Sequence, residues 1–284
     1  MSWLKHASDK KSLPERKRRR CHSVPMVEPL DNRVMMAVTA SFSAAQEVLT
    51  VTGDAQDNSI AIAFNAAGSI VVNGGAVPVQ GGTPTATNTR LIQIFGLGGN
   101  DDLTWARSLN LPAGRIDGGA GNDTITSGTR DDVLIGGAGD DTYRFDTDAA
   151  LGRDVIDESG GGIDTLDFSS TTTRAVNIDL SNPGQVVNFS PTTTTRAGSI
   201  ALSNPGDQVV NANLTLNLSA GNTIENVIGG ALGDTLIGNS LNNVFEGGGG
   251  NDILGGGDLD VASGAGNDTY RFDTDNALGT DSII

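Results

Sequence analysis

The sequence has little cysteine, histidine and aromatic content. Its 284 residues include one cysteine and two histidines, and 4% of them are aromatic. A single cysteine excludes an intrachain disulfide framework and an all-cysteine metal site. Both histidines, His6 and His22, lie near the N-terminus, so the rest of the chain has no histidine for a hydrolase base or a zinc site. No apolar run approaches the roughly 18 residues of a membrane-spanning helix, and no transmembrane segment is predicted.

Charge divides the chain into two parts. Residues 1–35 carry nine Lys and Arg against four acids, a net charge of +5. Residues 36–284 carry nine Arg against thirty acids, a net charge of −21. An acidic body of this kind excludes nucleic acid as a partner, because phosphates would be repelled. It also repels itself, which predicts that bound cations help the chain to fold.

Glycine is abundant, with 39 residues, about twice the roughly 7% of ordinary proteins. Much of it belongs to nine-residue units with glycine at positions 1, 2 and 4, aspartate at position 6 and an apolar residue at position 8. Three tandem units form a first array, preceded by a lone unit. Three more form a second array, followed by an out-of-register unit. The units are 96–104, 118–126, 127–135, 136–144, 229–237, 238–246, 247–255 and 263–271.

This pattern resembles the G-G-x-G-x-D-x-U-x repeat of RTX, or haemolysin-type, calcium-binding proteins. The resemblance implies an all-β, right-handed parallel β-roll or β-helix solenoid with calcium-binding glycine-rich turns. Six residues make a turn, three make a strand, and two units complete a coil. Calcium then lies between turns 18 residues apart, held by position-6 aspartates and glycine carbonyls. The implied metal ligands are Asp101, Gly118, Gly119, Gly121, Asp123, Asp132, Gly136, Gly137, Gly139, Asp141, Gly229, Asp234, Gly247, Gly248, Gly250, Asp252, Gly264, Gly266 and Asp268.

The 18-residue spacing predicts which aspartates face each other. Asp123 with Asp141, and Asp234 with Asp252, form two clean pairs. Asp132 faces Ala150 at this spacing and therefore makes a half site.

Other units depart from the pattern. Asp268 lies 16 residues beyond Asp252, so pairing these two requires a register shift. Arg130 and Leu232 replace the position-4 glycine, and Asn243 replaces a position-6 aspartate, which weakens those sites.

Two segments outside the units carry a second resemblance. Residues 162–169 (GIDTLDFS) and 223–230 (TIENVIGG) are similar to the C-terminal β-roll domain of serralysin-type secreted proteases. That domain binds calcium and carries secretion information, and the similarity spans roughly residues 136–284. The H-E-x-x-H-x-x-G-x-x-H motif of the protease domain is missing, so only the calcium module carries over.

The basic N-terminus includes a third resemblance. Residues 27–37 (VEPLDNRVMMA) are similar to the LEPR-x-LL leader of exported proteins of planctomycete-type bacteria, with Met35 and Met36 in place of the leucines. The resemblance implies export, and a secreted or cell-surface location.

Five segments follow from these patterns. They are a basic leader (1–36), an N-terminal β segment (37–95), the first array (96–159), a linking β segment with a 22-residue repeat (160–224) and the second array (225–284), which ends in mid-unit at Ile284. Apolar and polar residues alternate at 48–52, 60–64, 69–72, 91–95, 176–180 and 214–218, which predicts strands.

The predicted function is calcium binding by an exported, non-catalytic protein whose fold calcium stabilises in the extracellular space. Calcium is the predicted cofactor, and a cell-surface or matrix polysaccharide or protein is the candidate partner. The alternative is a non-catalytic module of a larger secreted enzyme or adhesin. A calcium-dependent polysaccharide lyase is a further alternative, because Arg107, Arg115 and Arg130 near the first array offer a basic group.

Overall fold

The computed structural model describes residues 38–106, 111–180, 207–211, 214–218, 224–256, 266–272 and 279–284. The predicted leader, the second copy of the 22-residue repeat before residue 207, Arg107 and Gly264 lie outside the described residues. Within the described part, no helix is long and apolar enough to cross a membrane.

The described chain is almost entirely β-strand, with one short 3-10 turn at Asn73–Gly75. The strands, in chain order, are β1 (Thr39–Ser43), β2 (Val48–Thr52), β3 (Ser59–Phe64), β4 (Ile70–Val72), β5 (Val79–Gln80), β6 (Leu91–Gly98), β7 (Asp102–Trp105), β8 (Ala113–Ala120), β9 (Thr124–Thr126), β10 (Val133–Ala138), β11 (Thr142–Arg144), β12 (Gly152–Asp157), β13 (Asp164–Asp167), β14 (Asn177–Asp179), β15 (Asp207–Asn211), β16 (Leu214–Leu218), β17 (Ile224–Ile228), β18 (Thr235–Ile237), β19 (Val244–Glu246), β20 (Ile253–Gly255), β21 (Thr269–Arg271) and β22 (Ser282–Ile283).

The strands form three sheets. Two have nine strands each, in the orders β15-β16-β12-β10-β8-β6-β2-β1-β5 and β21-β19-β17-β13-β11-β9-β7-β3-β4. The third has the order β14-β18-β20-β22. Pairing is parallel except for β1 with β2, β3 with β4 and β15 with β16. From β6 to β13 successive strands alternate between the two large sheets, and from β17 to β22 they alternate between the second large sheet and the third. The chain therefore winds as a parallel solenoid, and the predicted fold class is confirmed.

The coil length follows the nonapeptide units. Within the first array, Gly119 lies opposite Gly137 and Ile125 opposite Tyr143, an offset of 18 residues on both sheets. The second array repeats this offset in β17 with β19 and in β18 with β20. Two nonapeptides therefore complete one coil.

The coils that flank the first array are longer. The coil before it has an offset of 22 residues, with Leu103 opposite Ile125. The coil after it has an offset of 22 on one sheet, where Leu134 faces Ile156, and of 23 on the other, where Tyr143 faces Leu166. These insertions lie in the turns and leave the strands in register.

The core is a set of side-chain stacks that run along the solenoid. Position 8 of each unit points inward, as the alternation predicts, and its side chain stacks on that of the next coil. In one sheet this stack is fully buried: Ile60, Leu103, Ile125, Tyr143, Leu166, Val227 and Phe245. Each such side chain contributes roughly 1.5–3 kcal/mol by burial, and the rigid stack fixes the turns that precede it.

Candidate metal centre

The position-6 residues of successive coils form a hydrogen-bonded ladder. The backbone N–H of Asp101 donates to Asp123 Oδ1 at 2.8 Å, and that of Asp123 donates to Asp141 Oδ1 at 2.7 Å. Asp141 N–H donates in turn to Asp164 Oδ1 at 2.9 Å, and Asp164 N–H donates to Glu225 Oε2 at 2.9 Å. The aspartates of this ladder are all buried.

A second ladder runs beside it through position 5. Asn122 N–H donates to Asn100 Oδ1 at 2.8 Å, and Asp140 N–H donates to Asn122 Oδ1 at 3.0 Å. Position-5 side chains therefore bond the following coil, whereas position-6 carboxylates bond the preceding one. The two ladders fix the spacing of adjacent turns.

The second oxygen of these carboxylates has no partner. The buried Oδ2 atoms that neither accept nor donate a hydrogen bond are those of Asp101, Asp123, Asp141, Asp164 and Asp252. A buried acceptor without a donor is costly. Oxygen ligands of this kind are the ones that a hard cation such as calcium needs.

Glycine at position 1 creates the space in front of these oxygens. A Cβ on Gly118 would collide with Asp123 Oδ2 and lie 2.7 Å from the carbonyl oxygen of Gly136 in the next coil. The carboxylate oxygen and the neighbouring carbonyl thus border one small space that a side chain would fill. These groups fit a calcium ion between adjacent turns, with the aspartate and glycine carbonyls as ligands.

In four units the position-1 glycine faces an unpartnered Oδ2, and we call the turns of these units open. In each, positions 2 and 4 have positive φ: 106° and 125° at Gly119 and Gly121, and 104° and 130° at Gly137 and Gly139. Gly248 and Gly250 repeat the pattern at 86° and 119°. The open turns belong to units 96–104, 118–126, 136–144 and 247–255.

Three other units form what we call closed turns, in which position 2 donates its N–H to the position-6 side chain of the same turn. Gly128 N–H donates to Asp132 Oδ2 at 3.1 Å and Gly230 N–H to Asp234 Oδ2 at 2.6 Å. Asn239 N–H donates to Asn243 Oδ1 at 2.9 Å.

Position 4 of the closed turns is not glycine. It is Arg130, Leu232 or Leu241, and among the described residues none of these three has positive φ.

Closed turns offer no free carboxylate oxygen. Asp132 Oδ1 also accepts the Gly114 N–H at 2.6 Å, and Asp234 Oδ1 accepts the Val176 N–H at 2.6 Å. Asp234 does lie beside Asp252, whose Oδ1 accepts its N–H at 2.8 Å. Of that predicted pair, only Asp252 has an unpartnered oxygen.

The predicted position of Ala150 opposite Asp132 is wrong. Asp132 does not face Ala150, because the longer coil brings Asp154 beside it: Asp132 N–H donates to Asp154 Oδ1 at 3.0 Å. Asp154 Oδ2 accepts a hydrogen bond from the Ser127 hydroxyl at 2.5 Å. All four carboxylate oxygens of Asp132 and Asp154 therefore accept hydrogen bonds.

Asp268 does not pair with Asp252 either. It accepts the N–H of Asn243 at 3.0 Å, while Asp252 N–H donates to Asp281 at 3.0 Å. The cause is a coil of 25 residues on one sheet and 29 on the third sheet.

Burial dominates the electrostatics of the ladder. It raises the pKa of Asp101, Asp123 and Asp252 to about 6 and that of Asp141 to about 7, against the lowering effect of backbone N–H groups. The charged form of each carboxylate is therefore destabilised by its surroundings. A bound cation would reverse this effect.

Sequence reasoning missed four acids that join the ladders, Asp154, Asp164, Glu225 and Asp281, and a fifth, Glu158, that lies against them. Asp164 and Glu225 lie in the GIDTLDFS and TIENVIGG segments, which were a signal for them. Glu158 had no signal. Its carboxylate, with those of Asp141 and Asp164, forms a buried group whose ligand oxygens all lie within 4.8 Å of one another.

Comparison with known proteins supports the assignment of the arrays. No curated protein matches the chain. Residues 117–149 and 228–260 match the RTX calcium-binding nonapeptide repeat family, in four copies. These ranges contain the three units of the first array and the three of the second. The two arrays are therefore RTX nonapeptide repeats, which bind calcium.

Proposed function

We propose that this chain is an exported, non-catalytic protein whose roll is stabilised by calcium ions bound at the open turns. The observation that carries the proposal is the set of unpartnered, buried Oδ2 atoms: within the repeat units these atoms belong to the open turns and not to the closed ones. In the four open turns this oxygen faces the space kept by the position-1 glycine, and at Asp101 and Asp123 a carbonyl of the following coil borders the same space.

Calcium at these turns would act on the fold through charge. The body carries a net charge of −21, and its ladder carboxylates are close-packed and buried. Each divalent ion would offset two charges and link adjacent coils. Its binding free energy would therefore become folding free energy.

The proposed location outside the cell has two supports. Calcium modules of extracellular proteins bind with Kd of about 10⁻⁴–10⁻³ M, so a chain of this kind stays largely metal-free where calcium is scarce and folds where it is plentiful. The leader-like segment at residues 27–37 agrees with export. A cell-surface or matrix polysaccharide or protein is the proposed partner.

The lyase alternative gains no support from the side chain of Arg115. This arginine, one of the two described lyase candidates, forms an ion pair with Asp117 at 3.0 Å and stacks over the Phe95 ring at 5.5 Å. We therefore propose a non-catalytic chain, acting alone or as a module of a larger secreted enzyme or adhesin.

A calcium titration of the full chain, followed by far-UV circular dichroism and thermal melting, tests the proposal. With about 10 mM calcium and a Kd near 10⁻⁴ M, each site adds about 2.7 kcal/mol. This corresponds to roughly 5–10 °C in Tm per site for a chain of this size. Magnesium is the control, because it dehydrates reluctantly and demands a tighter site. Identical spectra and melting curves in EDTA and calcium would contradict the proposal.

A further inference from the structure

Glu158 occupies a place that glycine holds in the preceding coils. The register of β6, β8, β10 and β12 aligns Gly96, Gly118 and Gly136 with Glu158 at the position that follows the strand core. In the first three coils the missing side chain leaves room for a position-6 carboxylate. In the fourth, a carboxylate enters that room, and Glu158 is only 1% exposed.

Three carboxylates converge there. Asp141, Glu158 and Asp164 each offer an oxygen within 4.8 Å of the other two. Neither oxygen of Glu158 has a hydrogen-bond partner, nor does Oδ2 of Asp141 or Asp164. Calcium–oxygen distances of about 2.3–2.6 Å allow two ligands of one ion to be up to about 5 Å apart. One ion can therefore contact all three groups.

An independent group points into the same cluster. The Tyr143 side chain is fully buried, and its hydroxyl makes no hydrogen bond of acceptable geometry. A Cβ on Gly136 would lie 2.7 Å from this hydroxyl and would collide with Asp141 Oδ2. Burial, followed by the negative charge of Glu158, raises the pKa of Tyr143. The hydroxyl thus lies against the carboxylates, with Glu158 as its neighbouring acid.

We propose that the carboxylates of Asp141, Glu158 and Asp164, together with the Tyr143 hydroxyl, bind a calcium ion at the end of the first array. Glu158, Asp164 and Tyr143 stand outside the position-6 and glycine ligands of the repeat pattern, so at the open turn of unit 136–144 this site takes the place of a repeat-type site. It rests on the proposed function for the identity of the ion and shares Asp141 with the repeat ladder.

Terbium, which replaces calcium and emits when a nearby tyrosine is excited, gives a direct probe. The emission lost on Tyr143→Phe isolates the contribution of Tyr143 from those of Tyr270 and the tryptophans. We expect the single variant Glu158→Gln, which keeps Tyr143, to lose this Tyr143-dependent part of the emission. By calorimetry, we expect it to lower the calcium stoichiometry of the full chain by one. Added calcium should quench the same emission by competition.

Asp123→Asn is the matched control, because Asp123 belongs to the ladder but not to the cluster. It should lose an ion of the open turns and keep the Tyr143-dependent emission. Glu158→Ala removes the carboxylate and keeps the Cβ that this turn already accepts, so the test stands if the glutamine variant does not fold.

Two results would overturn the inference, and they are distinguishable. If the Glu158 variants keep the wild-type stoichiometry and emission while Asp123→Asn loses an ion, the carboxylates share a proton instead of a metal, and only this inference fails. If the wild-type chain binds neither calcium nor terbium, the proposed function fails with it.

Discussion

Units 118–126 and 127–135 follow each other without a gap, yet their turns hold the position-6 aspartate in opposite ways. In the first, Asp123 Oδ1 bonds the preceding coil and Oδ2 is left without a partner. In the second, both oxygens of Asp132 accept backbone N–H groups. The same residue at the same repeat position is therefore open to a metal in one turn and hydrogen-bonded in the next.

The difference lies in the backbone at positions 2 and 4. Gly121 has a φ of 125°, and its N–H donates to the carbonyl of Ala138 in the next coil at 2.8 Å. Arg130 occupies this position in the closed turn, without positive φ, and there the position-2 N–H turns to Asp132. A residue with a Cβ rarely adopts positive φ. The position-4 residue thus indicates which turn forms, whatever stands at position 6.

The largest expected effect that separates the two classes is the response to pH with and without calcium. Burial raises the carboxylate pKa values in both classes, to about 6 for Asp123 and Asp132 and about 7 for Asp141 and Asp234. The folded state then holds more protons than the unfolded one, so in EDTA stability is greatest below about pH 4 and falls as pH rises to about 7.

Calcium should abolish the part of this pH dependence that comes from the open turns and leave the part from the closed ones. Each pKa unit is worth about 1.4 kcal/mol, or roughly 3–5 °C in Tm. Thermal melting at pH 5.5 and pH 8, in EDTA and in calcium, measures both parts. A Tm in EDTA that rises with pH would contradict the assignment.

The next effect should come from exchanging the position-4 residue itself. Gly121→Ala forces a Cβ into positive φ and against the Gly99 carbonyl, which costs about 1–3 kcal/mol. It should also lower the calcium stoichiometry by one. Arg130→Ala places alanine at position 4 of the closed turn. It should change the free energy of unfolding by less than about 0.5 kcal/mol and leave the calcium stoichiometry unchanged. Equal losses in the two variants would show that position 4 does not define the turn.

The sequence was sufficient for the solenoid and for the cores of the arrays. The apolar eighth position predicted the buried side chains of Ile125, Leu134 and Tyr143. The 18-residue register followed from the nine-residue period together with the two-unit coil that the RTX resemblance implies. Both were accessible because parallel coils repeat the same short strand.

The partners outside the arrays could not be predicted, because turn insertions change the coil length without changing the strand pattern. Four extra residues bring Asp154 in place of Ala150 beside Asp132. The difference between open and closed turns could not be predicted from the sequence either. The replacements at Arg130 and Leu232 were visible as departures, but a sequence does not show that the position-2 N–H then takes the aspartate oxygen.

The smallest expected effect distinguishes the two aspartates directly, by replacing each with asparagine. In Asp132→Asn one amide nitrogen must face the N–H of Gly114 or Gly128, which costs about 1–3 kcal/mol, while the calcium stoichiometry stays unchanged. In Asp123→Asn the oxygen can still accept the Asp101 N–H, and the amide replaces the unpartnered oxygen. This variant should melt higher than wild type in EDTA at pH 8, because a buried charge is gone, and should bind one calcium ion fewer.

Melting in EDTA should therefore change with opposite sign in the two variants, and calorimetric titration should show the loss of a calcium ion only in Asp123→Asn, which a general loss of stability would not produce. The closed turn at Asn243 already contains the product of such a change: its oxygen accepts the Asn239 N–H, and its amide donates to the Glu225 carbonyl at 3.0 Å. An asparagine is thus compatible with a closed turn when the acceptor for its amide is nearby. Asp132 instead accepts backbone N–H groups on both oxygens. The loss of stability in Asp132→Asn therefore measures how much these two hydrogen bonds contribute to the closed turn, which needs no metal.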